Sequence, residues 1–160
     1  MSNRRYWLMK SEPDAFSIED LINSDNQTTR WEGVRNYQAR NFMRDDMKVG
    51  DGVLFYHSNA KPLAIVGTMN VSSKPYPDPI QFDPNSDYFD PKSTEENPRW
   101  ILVDVTFTQK FEPPVLRETL QSVDELKDMM LLQRGSRLSI QPLTKFEWDK
   151  VHELAGVKPK

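Results

Sequence analysis

Four short segments hold the side chains able to do chemistry. In Trp7-Leu8-Met9-Lys10-Ser11-Glu12-Pro13 an apolar run stops in a lysine, a serine and a carboxylate ahead of a proline. The bland reading is a strand end with solvated polar residues. Trp31-Glu32-Gly33-Val34-Arg35-Asn36 sets an indole beside two multi-donor side chains. An indole face can stack on a nucleobase, while guanidinium and amide groups can meet base edges; the same Trp31 could equally close the core. Phe55-Tyr56-His57-Ser58-Asn59 offers His57 as a general base in principle. No Ser or Cys nucleophile stands near it in a recognised arrangement, so His57 reads as the polar wall of a pocket. Arg134-Gly135-Ser136-Arg137-Leu138-Ser139-Ile140-Gln141-Pro142 is a basic, polar turn, in which Arg134 and Arg137 either position phosphates or stay solvated. The carboxylates of residues 74–98 suggest a two-acid hydrolase, but they are scattered as in an ordinary acidic surface loop.

Composition narrows the classes. A length of 160 residues fits one domain. Lys plus Arg is 21 against 24 Asp plus Glu, a formal charge of −3, which excludes a polybasic coat for DNA but not a local basic groove. The absence of cysteine excludes disulfides, thiolate catalysis and Cys-ligated zinc, and the 2 histidines leave no histidine-rich metal site. No metal and no cofactor is expected. No apolar run approaches the ~20 residues of a membrane span, and Met1–Lys10 lacks a signal-peptide core. The expectation is a soluble intracellular protein with no membrane partner, cytoplasmic, or nuclear in a eukaryote. The 8 Phe, 4 Trp and 5 Tyr residues, each burying roughly 150–250 Å², sustain a compact core and disfavour disorder.

The elements that must position these segments follow from pattern. Arg5–Met9 predicts a first strand. Ser17 caps a short helix carrying Ile18, Leu21 and Ile22; residues 23–30 read as a polar loop. Phe42, Met43 and Met47 suggest an amphipathic helix over 36–47, and Gly50-Asp51-Gly52 a turn. Val53–Tyr56 and the alternating 63–71 predict strands. Residues 74–98, with six prolines and six acids, cannot form a helix or central strand; Tyr76, Phe82, Tyr88 and Phe89 favour a loop packed onto the domain. Arg99–Phe111 alternates as one strand. Ser122 with Glu125, and Thr144 with Glu147, make capping-box patterns; the second opens a last helix with Trp148, Val151 and Leu154 on one side, Gly156 as its stop, and His152 on its surface. Strands mixed with short helices imply α+β with a small curved sheet or barrel.

The stretches WLMKSEPDAFS (7–17), WEGVRNYQARNFM (31–43), GDGVLFYHSN (50–59), AIVGTMNVSSKPYPDPIQFDP (64–84), YFDPKS (88–93), PRWILVDV (98–105) and LLQRGSRLSIQPL (131–143) together resemble the EVE domain, in order and at family spacing. The resemblance spans nearly the whole chain. It implies a PUA-like fold, a distorted β-barrel with short helices packed at its edges, similar to the YTH domain that reads methylated adenine. It also implies a non-catalytic reader of a modified base, such as 5-methylcytosine or 5-hydroxymethylcytosine, in DNA or RNA. Carried over by motif, the ligand pocket is lined by Lys10, Ser11, Trp31, Val34, Arg35, Asn36, His57, Ser58, Pro79, Leu138, Ser139 and Gln141. Relatives sometimes carry a basic extension or a fused effector; the expectation here is a single stand-alone domain over 1–160, acting as a monomer.

On this reading a base is unstacked at a cost of a few kcal/mol. Trp31 stacks on it for ~1–3 kcal/mol, and Asn36, Ser11, Ser139 or backbone groups read its edge for ~1–3 kcal/mol per bidentate pair. A buried methyl adds about 0.8 kcal/mol, a fourfold preference, so strong selection needs a polar group that the wrong base leaves unpaired. Arg30, Arg40, Arg44, Arg134 and Arg137 are expected to meet the nucleic-acid backbone, with Arg4, Arg5, Arg35 and Lys48 extending a positive face opposite an acidic 74–98 loop. Two rival classes remain. One is an enzyme on a modified nucleotide, with His57 and Asp78 or Glu12 as acid–base pair; the other is a small-metabolite or protein-binding module.

Overall fold

The computed structural model describes residues 4–160, so the first three residues of the Met1–Lys10 reading lie outside it. Among the described residues the strands are β1 (Tyr6–Ser11), β2 (Thr28–Arg30), β3 (Gly52–His57), β4 (Ala64–Val71), β5 (Tyr76–Pro77), β6 (Ile101–Leu102), β7 (Asp104–Leu116) and β8 (Ile140–Leu143), and the α-helices are α1 (Ile18–Ile22), α2 (Tyr37–Asn41), α3 (Arg117–Gln121) and α4 (Lys145–Ala155). Six strands form one curled sheet in the order β2-β7-β4-β3-β1-β8, and β5 pairs with β6 in a separate ribbon. β1 and β3 run parallel, Tyr6 beside Gly52 through Ser11 beside His57; the other neighbours are antiparallel. Two register breaks in the β4–β7 ladder are the kind of bulge that bends a sheet towards a barrel.

Both faces of this sheet are covered, which is why β3 is apolar along nearly its whole length. Trp7, Met9, Val53, Phe55 and Met69 face Ile18 and Leu21 of α1, with Ala39, Met43 and Trp31. Leu8, Leu54, Ile65 and Phe111 face Trp148 and Val151 of α4, with Leu120, Leu126 and Met129. The close seat of α4 explains Gly52, where a Cβ would stand 2.6 Å from the Trp148 ring. Asp51, buried in the preceding turn, accepts from Trp7 Nε1 at 3.0 Å and from the amides of Arg5 and Lys48.

The caps at Ser17 and Thr144 form as reciprocal capping boxes, and Gly156 ends α4 at φ +75°. Five expectations are corrected. Residues 23–30 are not all loop: Thr28–Arg30 pairs with β7 as an edge strand. The helix expected over 36–47 is α2 followed by a π-helical turn, Phe42–Asp46. The strand expected over 99–111 breaks at Val103, where Leu102 and Val103 are both buried and the chain passes from the β5–β6 ribbon into the main sheet. Ser122 caps no helix start; it follows α3, and its hydroxyl donates to the Thr119 carbonyl. His152 is fully buried, with Nδ1 2.7 Å from the Trp148 carbonyl and its ring edge-on to Phe111. The last two share a cause, since neither tertiary burial nor a preceding helix is visible in a four-residue pattern.

Candidate functional site

A cavity of about 630 Å³ opens at the C-terminal ends of the parallel strands β1 and β3. Ladder geometry assembles it. Beyond the last β1–β8 pair, Lys10 N–H donates to the Ser139 carbonyl at 2.8 Å, setting Ser139 opposite Lys10. Beyond β3, Ser58 N–H donates to the Ser11 carbonyl at 3.0 Å. Beyond β2, Trp31 N–H donates to the Val103 carbonyl at 3.0 Å, carrying the 29–35 segment along the cavity's other side. Gly33 turns that segment at φ +85°, where a Cβ would press on the Tyr88 ring, and its amide donates to Asp78 Oδ2 at 2.8 Å.

The wall mixes aromatic, apolar and charged groups. Trp31 is 8% exposed and meets Phe16 and Phe55 edge-on, so it closes the core and also borders the cavity. Lys10, Arg30, Arg35 and Arg137 stand on the wall against Glu12 and Glu32. Arg30 pairs with Glu32 at 2.6 Å. Arg35 is spent on structure, donating to the carbonyls of Tyr88 and Val34 and to Asp78 at 3.1 Å. Glu12 accepts from Asn59, and Ser11 Oγ donates to the Phe16 carbonyl at 2.6 Å. Lys10 Nζ, the Arg137 guanidinium and the hydroxyls of Ser58 and Ser139 have no protein partner among the described residues. Burial, helped by the Arg117 charge, pushes the Lys10 pKa down, so an incoming anion that restores its solvation is favoured.

Of the pocket residues expected from the sequence, Lys10, Ser11, Trp31, Val34, Arg35, Ser58 and Ser139 line this cavity. The other five stand off its wall. Asn36 caps α2, its side-chain oxygen accepting from Ala39 N–H at 2.9 Å. His57 Nε2 accepts from Ile18 N–H at 3.1 Å, and burial pushes its pKa down. Pro79 is exposed at the start of a 3-10 turn, Pro79–Phe82. The Leu138 carbonyl accepts from Nε2 of Gln141, which is itself buried. His57 and Gln141 therefore hold the elements that carry Ser58 and Ser139. Among the described residues no hydrogen bond joins His57 to Asp78 or Glu12. Asp78 instead accepts from Gly33, Arg35 and Ile80.

The basic face is also redrawn. Arg30 and Arg137 border the cavity, whereas Arg40, Arg44 and Arg134 do not. Arg40 donates to Asn41 and the Arg99 carbonyl, and Arg44 chelates Asp45. Arg4 and Arg5 lie at the other end of β1, beside a separate cavity of about 510 Å³ shared with Lys145. The 74–98 loop is less of an acidic patch than its composition suggests, because Asp78 is buried and Asp90 accepts from Trp100 Nε1 at 2.8 Å. Ala15, Phe16, Thr29, Gly33 and Tyr88 complete the wall, none of them expected as a pocket residue. Tyr88 could have been found from its place among the aromatics expected to anchor the loop.

Residues 5–154 match the EVE domain family. Human thymocyte nuclear protein 1 is 45% identical over 171 residues, covering 96% of this chain and 75% of its own length. The structure of human THYN1 in complex with 5-methylcytosine-containing DNA superposes with a TM-score of 0.89 at 45% identity, over 97% of this chain and 99% of that one. A hypothetical protein from Leishmania major gives a TM-score of 0.90 at 42% identity, over 96% of both chains. The curled six-stranded sheet with its short helices is thus the α+β, PUA-like architecture of these proteins, and the chain belongs to the EVE domain family.

Proposed function

We propose that this protein is a non-catalytic reader of a modified cytosine, holding one unstacked nucleotide of DNA in the cavity at the ends of β1 and β3. The observation that carries the reading is the wall itself. The side-chain polar groups of Lys10, Arg137, Ser58 and Ser139, without a protein partner among the described residues, surround a space bordered by Trp31 and Val34. Two cations suit a phosphate or an anionic edge, and two hydroxyls suit a base edge or a hydroxymethyl group. The human relative solved with 5-methylcytosine-containing DNA, at 45% identity, indicates the ligand class. Trp31 and Val34 supply the apolar side, and Arg30 a rim contact. RNA bearing the same base fits the same chemistry. The functional unit in this reading is one EVE domain over 1–160, monomeric, working inside the cell where nucleic acid is found, in the nucleus if the cell is eukaryotic.

The acid–base alternative is disfavoured because His57 and Asp78 are each committed to backbone amides. Calorimetric titration tests the proposal with matched single- and double-stranded oligonucleotides bearing cytosine, 5-methylcytosine, 5-hydroxymethylcytosine or N6-methyladenine. One modified cytosine is expected to bind tightest, with Ser139→Ala narrowing the gap between it and plain cytosine. Equal binding of all four bases, or no binding by the folded protein, refutes the reader.

A further inference from the structure

Arg35 and Tyr88 belong to the cavity wall, but a chain of rings and guanidiniums continues from them onto the outer surface. The Arg35 Cζ lies 5.5 Å from the Tyr88 ring centroid and 5.3 Å from that of Trp100. Tyr37, the first residue of α2, stacks on Trp100 with centroids 4.8 Å apart and planes 18° from parallel. The Arg40 Cζ is 4.7 Å from the Tyr37 centroid and 6.0 Å from that of Trp100. Those two distances place Arg40 beside the stack; on the far face of Tyr37 it would stand much farther from Trp100. Tyr37 is 51% exposed, so much of the residue stays open to solvent although Trp100 stacks on its ring and the Arg40 guanidinium lies close to it.

An aromatic ring backed by a second ring, flanked by a guanidinium and left bare on one side, has the form of a stacking platform. Its position adds direction. The legs from Arg35 to Trp100 and from Trp100 to Tyr37 limit the separation of Tyr37 from the cavity-rim guanidinium to about 10 Å. At roughly 3.4 Å per stacked step, that is within the next few nucleotides of a strand whose base occupies the cavity. Arg40, held by Asn41 and the Arg99 carbonyl, presents its charge along the same edge.

We infer that Tyr37, backed by Trp100 and flanked by Arg40, is a second base-binding subsite that stacks a nucleobase flanking the one in the cavity. This rests on the reader assignment and extends it: the preferred substrate is a strand with an unpaired flank, and the flanking base is held without regard to its identity, because every base has a π-face. Tyr37 itself is half exposed, so its replacement leaves the fold intact while Trp100 stays buried beneath it.

Fluorescence anisotropy with a single-stranded 11-mer carrying a central 5-methylcytosine tests the inference, beside the same 11-mer with one abasic residue placed in turn at each flanking position. Tyr37→Ala is expected to weaken binding of the intact 11-mer by about tenfold to a hundredfold, with a melting temperature lowered by no more than a few degrees, and Tyr37→Trp to restore it. At one flanking position the abasic substitution should produce the same loss in the natural protein and no further loss in Tyr37→Ala. Undiminished binding by Tyr37→Ala, or a loss that adds in full to every abasic substitution, overturns the subsite. If Lys10→Gln still weakens binding in those cases, the reader assignment stands alone. Failure of the natural protein to bind any 11-mer overturns both.

Discussion

Removing Asp78 should unfasten the cavity rim from the loop that braces it. Its side chain is 2% exposed and accepts from Gly33 N–H at 2.8 Å, Ile80 N–H at 3.0 Å and Arg35 Nη1 at 3.1 Å. Truncating one partner of a buried ion pair usually costs ~3–5 kcal/mol, because the other charge is left uncompensated. Arg35 is a fifth exposed and keeps the carbonyls of Tyr88 and Val34. That relief places Asp78→Ala near the lower end, about 3 kcal/mol. For a domain of this size, at about 2–4 °C per kcal/mol, the melting temperature should fall by roughly 6–12 °C. Asp78→Asn keeps an acceptor but turns amide hydrogens towards donors, so about 2 kcal/mol is expected. Adding Arg35→Met to Asp78→Ala should recover part of the loss, since no unpaired charge then remains. Urea unfolding followed by tryptophan fluorescence reads the natural protein, these variants and Arg35→Met alone. A loss below about 1 kcal/mol for Asp78→Ala, or an Arg35→Met loss that adds in full, refutes the strut.

Burial lowers the pKa of both His57 and His152 from the usual 6.5. Each binds its proton less tightly folded than unfolded, so their contribution is whole above about pH 6.5 and is lost as pH falls through the lowered folded values. Urea midpoints should therefore drop between about pH 7 and 5, and His57→Gln should reduce the slope; a flat profile refutes the linkage. Lys10→Gln and Arg137→Gln should each flatten the dependence of log K on log salt by about 0.7 for single strands or 0.9 for duplex, with melting temperatures within about 2 °C. An unchanged slope removes that residue from the phosphate contact.

Local chemistry determined much of this molecule. Alternation over 63–71 and the apolar 53–56 run read directly as strands, because each residue's face follows from its neighbours. Ser17, Thr144-x-x-Glu147 and Gly156 read as helix ends, because a cap is completed within a few residues. The ordered motifs marked the EVE family, and with it Lys10, Trp31 and Ser139. Tertiary structure decided what depends on partners far along the chain. It buried His152 against Phe111, split the 99–111 run at Val103, and gave Thr28–Arg30 a strand by pairing it with β7. It also sorted the pocket residues. Lys10, Ser58 and Ser139 meet because β1 is paired with β3 on one side and β8 on the other, while His57, Asn36 and Asp78 are drawn off to amides elsewhere. A sequence window carries the type of a side chain and the periodicity of its neighbours. Whether its hydrogen-bonding groups are already satisfied depends on contacts that only the closed fold supplies, and that residual capacity is what makes a binding wall.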